Sequence, residues 1–168
     1  NRNPVSIVQS LYERNGFEPE KTFYLWLEHL VPAIARTMGA SRVVIDYDRL
    51  LENPEQQLLR LANTLGLPAP KPLALAAFET EFLDYGLRHT YFATHDLEFY
   101  PSVPSQVITA YEWLVKMSND DVVLNSAEID QVFETLSREL IALSPALSLI
   151  DRQEQKMVVF SQTKTHRD

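Results

Sequence analysis

One run of β-branched residues, Arg42-Val43-Val44-Ile45-Asp46-Tyr47, interrupts a chain whose other apolar residues recur at helical spacing. An apolar run of this kind suits a strand buried on both faces, as in a parallel sheet. A single strand makes no sheet, so the pattern predicts that its partners lie upstream of residue 1. The opening Asn1-Arg2-Asn3-Pro4 reads as though upstream chain were missing. The expected fold class is therefore α/β, here a mostly helical carboxy-terminal fragment with one clear strand. Folded alone, it should expose an edge or face of Val43–Ile45, and an exposed apolar strand invites self-association.

The helices are marked by their ends. Asn3-Pro4 and Asn53-Pro54 each read as a cap followed by proline at the first helical position, and Gly16 and Gly66 stand where the helices stop. On the first helix, Val5, Ile7, Val8, Leu11 and Tyr12 form an apolar arc. Ser6, Gln9, Ser10, Glu13 and Arg14 form a polar one. Pro19 opens a longer helix through Phe23, Trp26, Leu27, Leu30, Ile34 and Met38, closed by Gly39 and kinked at Pro32. Further helices are predicted near 73–84 and 105–117, with 85–104 irregular. Asn125-Ser126-Ala127-Glu128 resembles a capping box ahead of Ile129, Val132, Phe133, Leu136 and Leu140. Pro145 should start a last helix, and 161–168 reads as a frayed polar tail.

The 168 residues suffice for one domain with a core. A net charge of -8 argues against a general nucleic-acid binder, which needs a basic surface to displace counterions. It leaves room for one local anion pocket. No apolar run is long enough to span a membrane. The absence of cysteine excludes disulfides, thiolate catalysis and cysteine-ligated zinc.

The first helix carries the most suggestive chemistry. Arg2 offers a permanently charged planar fork, the helix N-terminus offers N–H groups and a favourable dipole, and Ser10 offers a hydroxyl. Read from these residues alone, the arrangement is either an anion site or a capped surface helix.

Arg2-Asn3-Pro4 with Ser10 resembles the 3′-phosphate-binding motif of sulfotransferases that use 3′-phosphoadenosine 5′-phosphosulfate (PAPS). The resemblance continues through Arg14-Asn15-Gly16-Phe17, the Trp26 helix, Ile45 to Pro54, and Leu65-Gly66-Leu67-Pro68. Phe82-Leu83-Asp84 with Leu87-Arg88-His89 looks like a segment of bacterial members. The match covers about residues 1–95 of a single domain, leaving 96–160 as a helical extension and 161–168 as the tail. It implies a P-loop NTPase-like fold and transfer of a sulfuryl group from PAPS to an acceptor hydroxyl, a saccharide being one candidate. Arg2 and Ser10 would hold the 3′-phosphate, and Arg88 would contact either the nucleotide or a helix end. The family's phosphosulfate-gripping loop, its catalytic lysine and its usual base are expected upstream of residue 1, so this chain alone should not catalyse transfer. A cytoplasmic location is expected. The alternative is a non-catalytic helical interaction module derived from the same scaffold.

Three other features admit two readings each. His89 and His95, with Asp96 and Glu98 nearby, are metal ligands or ordinary surface residues, and their spacing matches no metal signature, so none is assigned. Phe78, Phe82, Tyr85, Tyr91, Phe92, Phe99 and Tyr100 form a wall for an acceptor sugar or adenine, or a core cluster. Asp120, Asp121, Glu128, Asp130 and Glu134 read most simply as a solvated acidic face.

Overall fold

The computed structural model describes residues 1–83 and 94–165, with side chains as far as Met157 apart from those of Thr94 and His95. The helices are α1 (Pro4–Asn15), α2 (Pro19–Ala35), α3 (Tyr47–Glu52), α4 (Pro54–Leu65), α5 (Pro72–Ala77), α6 (Ser105–Asn119) and α7 (Ala127–Thr165). A π-helical turn, Phe78–Phe82, extends α5, and a 3-10 turn, Thr94–Leu97, precedes α6.

The local rules act where the sequence placed them. Asn3 Oδ1 accepts the Val5 N–H at 2.9 Å, Pro4 occupies the first helical position, and Gly16 closes α1 at φ 65° with its N–H on the Tyr12 carbonyl. Asn53, Pro54 and Gly66 do the same for α4. The helices then bury one shared core. Val5 and Val8 of α1, Phe23, Leu27 and Val31 of α2, Val107 and Leu114 of α6, and Ile129 and Phe133 of α7 meet in it. The Phe23 ring meets Tyr100 edge-on at 5.6 Å. Helices from residues 1–35 and from 105–140 therefore stabilise one another in a single body.

The α/β expectation is overturned. Every regular element among the described residues is helical, and Arg42–Asp46 lies between helices and belongs to no sheet. Val44 is buried, while Val43 and Ile45 are half-buried. One side chain, Arg60, and the main chain of Asn1 take up main-chain hydrogen bonds of this segment. The Val44 carbonyl accepts from Arg60 Nη1 at 2.8 Å, the Ile45 carbonyl accepts from the Asn1 amino group, and the Tyr47 N–H donates to the Asn1 carbonyl at 2.8 Å.

Several boundaries also differ. Pro145 lies inside α7, which runs unbroken from Ala127 to Thr165 and takes in most of the expected tail. Proline leaves the Ile141 carbonyl without its helical donor, but both residues are exposed, so water can replace it. The cap of α7 is Ser126, whose Oγ accepts the Ile129 N–H, rather than Asn125. α2 stops at Ala35 and continues as turns to Gly39, and it passes through Pro32 without ending there.

Of the acidic residues read as a solvated face, Asp120, Asp121, Glu128 and Glu134 are exposed and Asp130 is half-buried, and Asp120 and Asp130 are also counter-ions to arginine. Arg42 is almost fully buried; its Nε donates to the Leu124 carbonyl at 2.7 Å, Nη1 to the Ile34 carbonyl at 3.2 Å and Nη2 to Asp130 at 2.7 Å. Arg60 forks onto Asp120 at 2.7 and 2.6 Å and donates to the Val44 and Met117 carbonyls. Arg49 donates to the Ser118 carbonyl at 3.0 Å and to the Asn119 side chain.

Truncating Arg42 strands two carbonyls and a carboxylate at once. Arg42→Ala is expected to lower stability by roughly 2–4 kcal/mol, read from the denaturant midpoint. Arg42→Lys should recover only part, because an ammonium lacks the planar fork.

The Arg60 fork holds the Asp120 carboxyl below the usual carboxylate range. Its contribution is present above the unfolded value of about 3.9 and is lost as pH falls through the lowered folded value. Asp120→Asn keeps the left-handed backbone at φ 61° tolerable while removing the charge. Acid titration of that variant should show a shallower loss of stability below about pH 4 than the parent shows.

Candidate anion site at the start of the first helix

The main chain of Asn1 sits between the Ile45 carbonyl and the Tyr47 N–H, so the start of α1 lies beside the start of α3. Burial pushes the Asn1 amino group below its ordinary value. Arg2 is half-buried, and its guanidinium lies over the Tyr47 ring at 5.3 Å from the centroid. No carboxylate pairs with Arg2 among the described residues.

Ser10 is exposed, and its hydroxyl has no hydrogen-bond partner among the described residues. Within α1, Ser6 and Ser10 stand four residues apart on one side of the helix, and Arg2 lies two residues before its first turn. The rise from Pro4 to Ser10 is about 9 Å, so a group held at both ends must rely on the length of the arginine side chain. Ser6, expected on the polar arc, is buried between them.

The helix end itself contributes less than its position promises. Pro4 has no N–H, the Val5 N–H goes to the Asn3 side chain, and the Ser6 N–H goes to the Asn3 carbonyl at 3.1 Å. α3 is equally self-contained: Asp46 Oδ1 accepts from the Asp48 and Arg49 N–H groups at 3.0 and 3.1 Å. An anion here would be held by side chains, Arg2 and Ser10, and not by a nest of backbone donors. Those two groups suit a phosphate oxygen: a permanent cation with a free planar edge and a hydroxyl donor.

The adjacent face of α1 lines an open groove of about 670 Å³. Val5 and Val8 form its floor, Gln9 and the exposed Tyr12 stand on the α1 side, and Glu18, Asp96 and Tyr100 lie across from them.

Arg88 lies outside the described residues, as do Tyr85, His89, Tyr91 and Phe92, and so does the side chain of His95. Of the remaining aromatics, Phe78 stacks on Phe82 at 6.1 Å, Phe82 and Phe99 are exposed, and Tyr100 packs against the core. Among the described residues no three His, Cys, Asp or Glu side chains are grouped to hold a metal ion. No helix among them is long and apolar enough to cross a membrane. Tyr47 is the site residue that sequence reasoning missed, since 45 positions separate it from Arg2 and no local pattern joins them.

No family model matches this chain, and no curated protein or solved structure matches it.

The Arg2–Tyr47 contact should restrain the guanidinium before any ligand arrives. In Tyr47→Ala, ¹⁵N relaxation at Arg2 Nε should report greater motion, with a stability loss of about 0.5–1 kcal/mol. Tyr47→Phe should keep both near the parent values, since the ring face is what the cation meets.

Proposed function

We propose that this chain supplies the 3′-phosphate anchor of a PAPS-dependent sulfotransferase, with Arg2 as the charged contact and Ser10 as the hydroxyl contact. The observation that carries this reading is the Arg2 guanidinium: half-buried, over the Tyr47 ring, and paired with no carboxylate among the described residues. In a protein of net charge -8, an arginine left without a carboxylate partner is a natural place for an anion to bind. The reading takes its nucleotide from the resemblance of Arg2-Asn3-Pro4 and Ser10 to the sulfotransferase motif. Arg2 and Ser10 would position the nucleotide without touching the reacting sulfur, and the lysine and base of the reaction would come from outside these 168 residues. The groove along the adjacent face of α1 would seat the acceptor. Tyr12 offers an aromatic face and Gln9 and Glu18 offer hydrogen-bonding ends, a combination that suits a saccharide hydroxyl. Such an enzyme would work in the cytoplasm.

The second reading is a non-catalytic helical interaction module, which the all-helical architecture of the described residues favours. Titration with adenosine 3′,5′-bisphosphate separates the two. Under the nucleotide reading, Arg2→Ala should weaken binding about 10- to 150-fold, the loss of roughly 1.5–3 kcal/mol for a charged contact. Ser10→Ala should weaken it less, by roughly 1–2 kcal/mol. Adenosine 5′-monophosphate, which lacks the 3′-phosphate, should bind weakly and respond to neither change. Equal affinity for the two nucleotides in the parent protein would leave the motif as a helix cap.

A further inference from the structure

The geometry points to a docking groove for a basic amphipathic helix, formed between the first turns of α2 and the second half of α7. This inference is independent of the nucleotide site.

The groove begins with an unfinished helix-pairing seam. Along α7, Ile129, Phe133, Leu136, Leu140, Leu143, Leu147 and Ile150 follow one another at alternating steps of four and three, the spacing by which helices pack side by side. The first four are buried against the body. Leu143 and Leu147 are half-buried, and Ile150 is 55% exposed. The two helices run antiparallel here. Arg42, just after α2, reaches Asp130 near the start of α7, while Lys21 in the first turn of α2 pairs with Asp151 and Glu154. Beyond that pair α2 has ended, yet α7 continues with Met157 exposed.

A cleft of about 210 Å³ opens where the seam loses its cover. Tyr24, Leu25, Leu147 and Ile150 give it an apolar lining. Its rim is acidic, with Glu18, Glu20 and Glu28 from the α2 side and Asp151 and Glu154 from α7. Lys21 is the cation that lines it, and it is already paired with the two α7 carboxylates. The apolar lining calls for an apolar side-chain row, and the rim calls for cations flanking that row. A helix with a leucine stripe between lysines or arginines meets both demands. A second copy docking through the same face would set the same five carboxylates against this rim, so self-pairing is the disfavoured occupant.

The test uses the full 168-residue chain and a synthetic peptide helix of about 18 residues, with leucines at alternating three and four spacing and lysines on both flanks. Binding is followed by fluorescence anisotropy. The lysine-flanked peptide should bind, and should weaken as salt is raised, because the rim is exposed. The same peptide with glutamate flanks should not bind. A scrambled peptide of equal charge, without the leucine stripe, should bind more weakly by roughly tenfold or more. Glu20→Lys combined with Glu28→Lys should weaken the lysine-flanked peptide by a comparable factor. Glu55→Lys combined with Glu112→Lys changes the net charge equally and lies outside the groove, so it should have much less effect. Ile150→Gln, at an exposed position, should also weaken binding while the far-ultraviolet spectrum stays unchanged. Equal binding of the scrambled peptide, or equal loss in the two double variants, would show charge attraction alone and overturn the proposal. So would sedimentation showing a dimer that Glu20→Lys with Glu28→Lys abolishes, since a second copy would then be the occupant.

Discussion

Three arginines hold the ends of this helical body together, and the most buried of them, Arg42, has the most to hold. The last carbonyls of a helix lack internal donors and carry the negative end of its dipole. Arg42 supplies the Ile34 carbonyl at the end of α2, and Arg60 and Arg49 supply the Met117 and Ser118 carbonyls at the end of α6. Each then reaches a further partner from distant sequence: Asp130 for Arg42, Asp120 for Arg60, Asn119 for Arg49. A guanidinium can do this because it presents five donors in a rigid plane. The consequence is that two carboxylates, 60 and 88 positions from their arginines, become fixed points of the fold.

The same interaction bears on why Arg42–Asp46 is not part of a sheet among the described residues. Its β-branched residues favour extended backbone, and its Val44 side chain reaches the core. What decides between strand and segment is where the main-chain hydrogen bonds go. Here Arg60 takes the Val44 carbonyl, and Asn1 pairs with both Ile45 and Tyr47. The propensity reading of those residues implied a strand, but a sheet depends on partners that no single run can specify, and none is formed among the described residues.

This difference between local and distant determinants accounts for what could be read in advance. The limits of α1 and α4 were legible because Asn-Pro starts and glycine stops act within a few residues. The continuity of α7 was not. Pro145 resembles a start signal, and only the seam on either side, from Leu140 to Leu147, shows that packing carries the helix through it. The roles of Asp120 and Asp130 were equally hidden, since an aspartate paired with a distant arginine looks in sequence like any surface acid. At the candidate site, Arg2 and Ser10 stood out by spacing. Tyr47, which fixes where the Arg2 guanidinium lies, comes from another part of the chain.

A ring beneath a guanidinium changes what that cation can do. A cation–π contact takes up none of the guanidinium's hydrogen-bond donors, so Arg2 can lie over Tyr47 and still grip an anion. The acidity of the whole chain opposes this less than its net charge of -8 implies, because exposed charges are screened over about 8 Å at physiological salt. What an approaching phosphate meets is set by the nearest groups, and Asp46, the carboxylate beside the start of α3, is already hydrogen-bonded to two backbone N–H groups there. Around the cleft of α2 and α7 five carboxylates act within the same short range on a cation, one of them, Glu18, also bordering the groove beside α1. Screening therefore lets one acidic chain present a local site for an anion and a separate surface for a basic partner. Each depends on its own neighbouring residues and not on the overall charge.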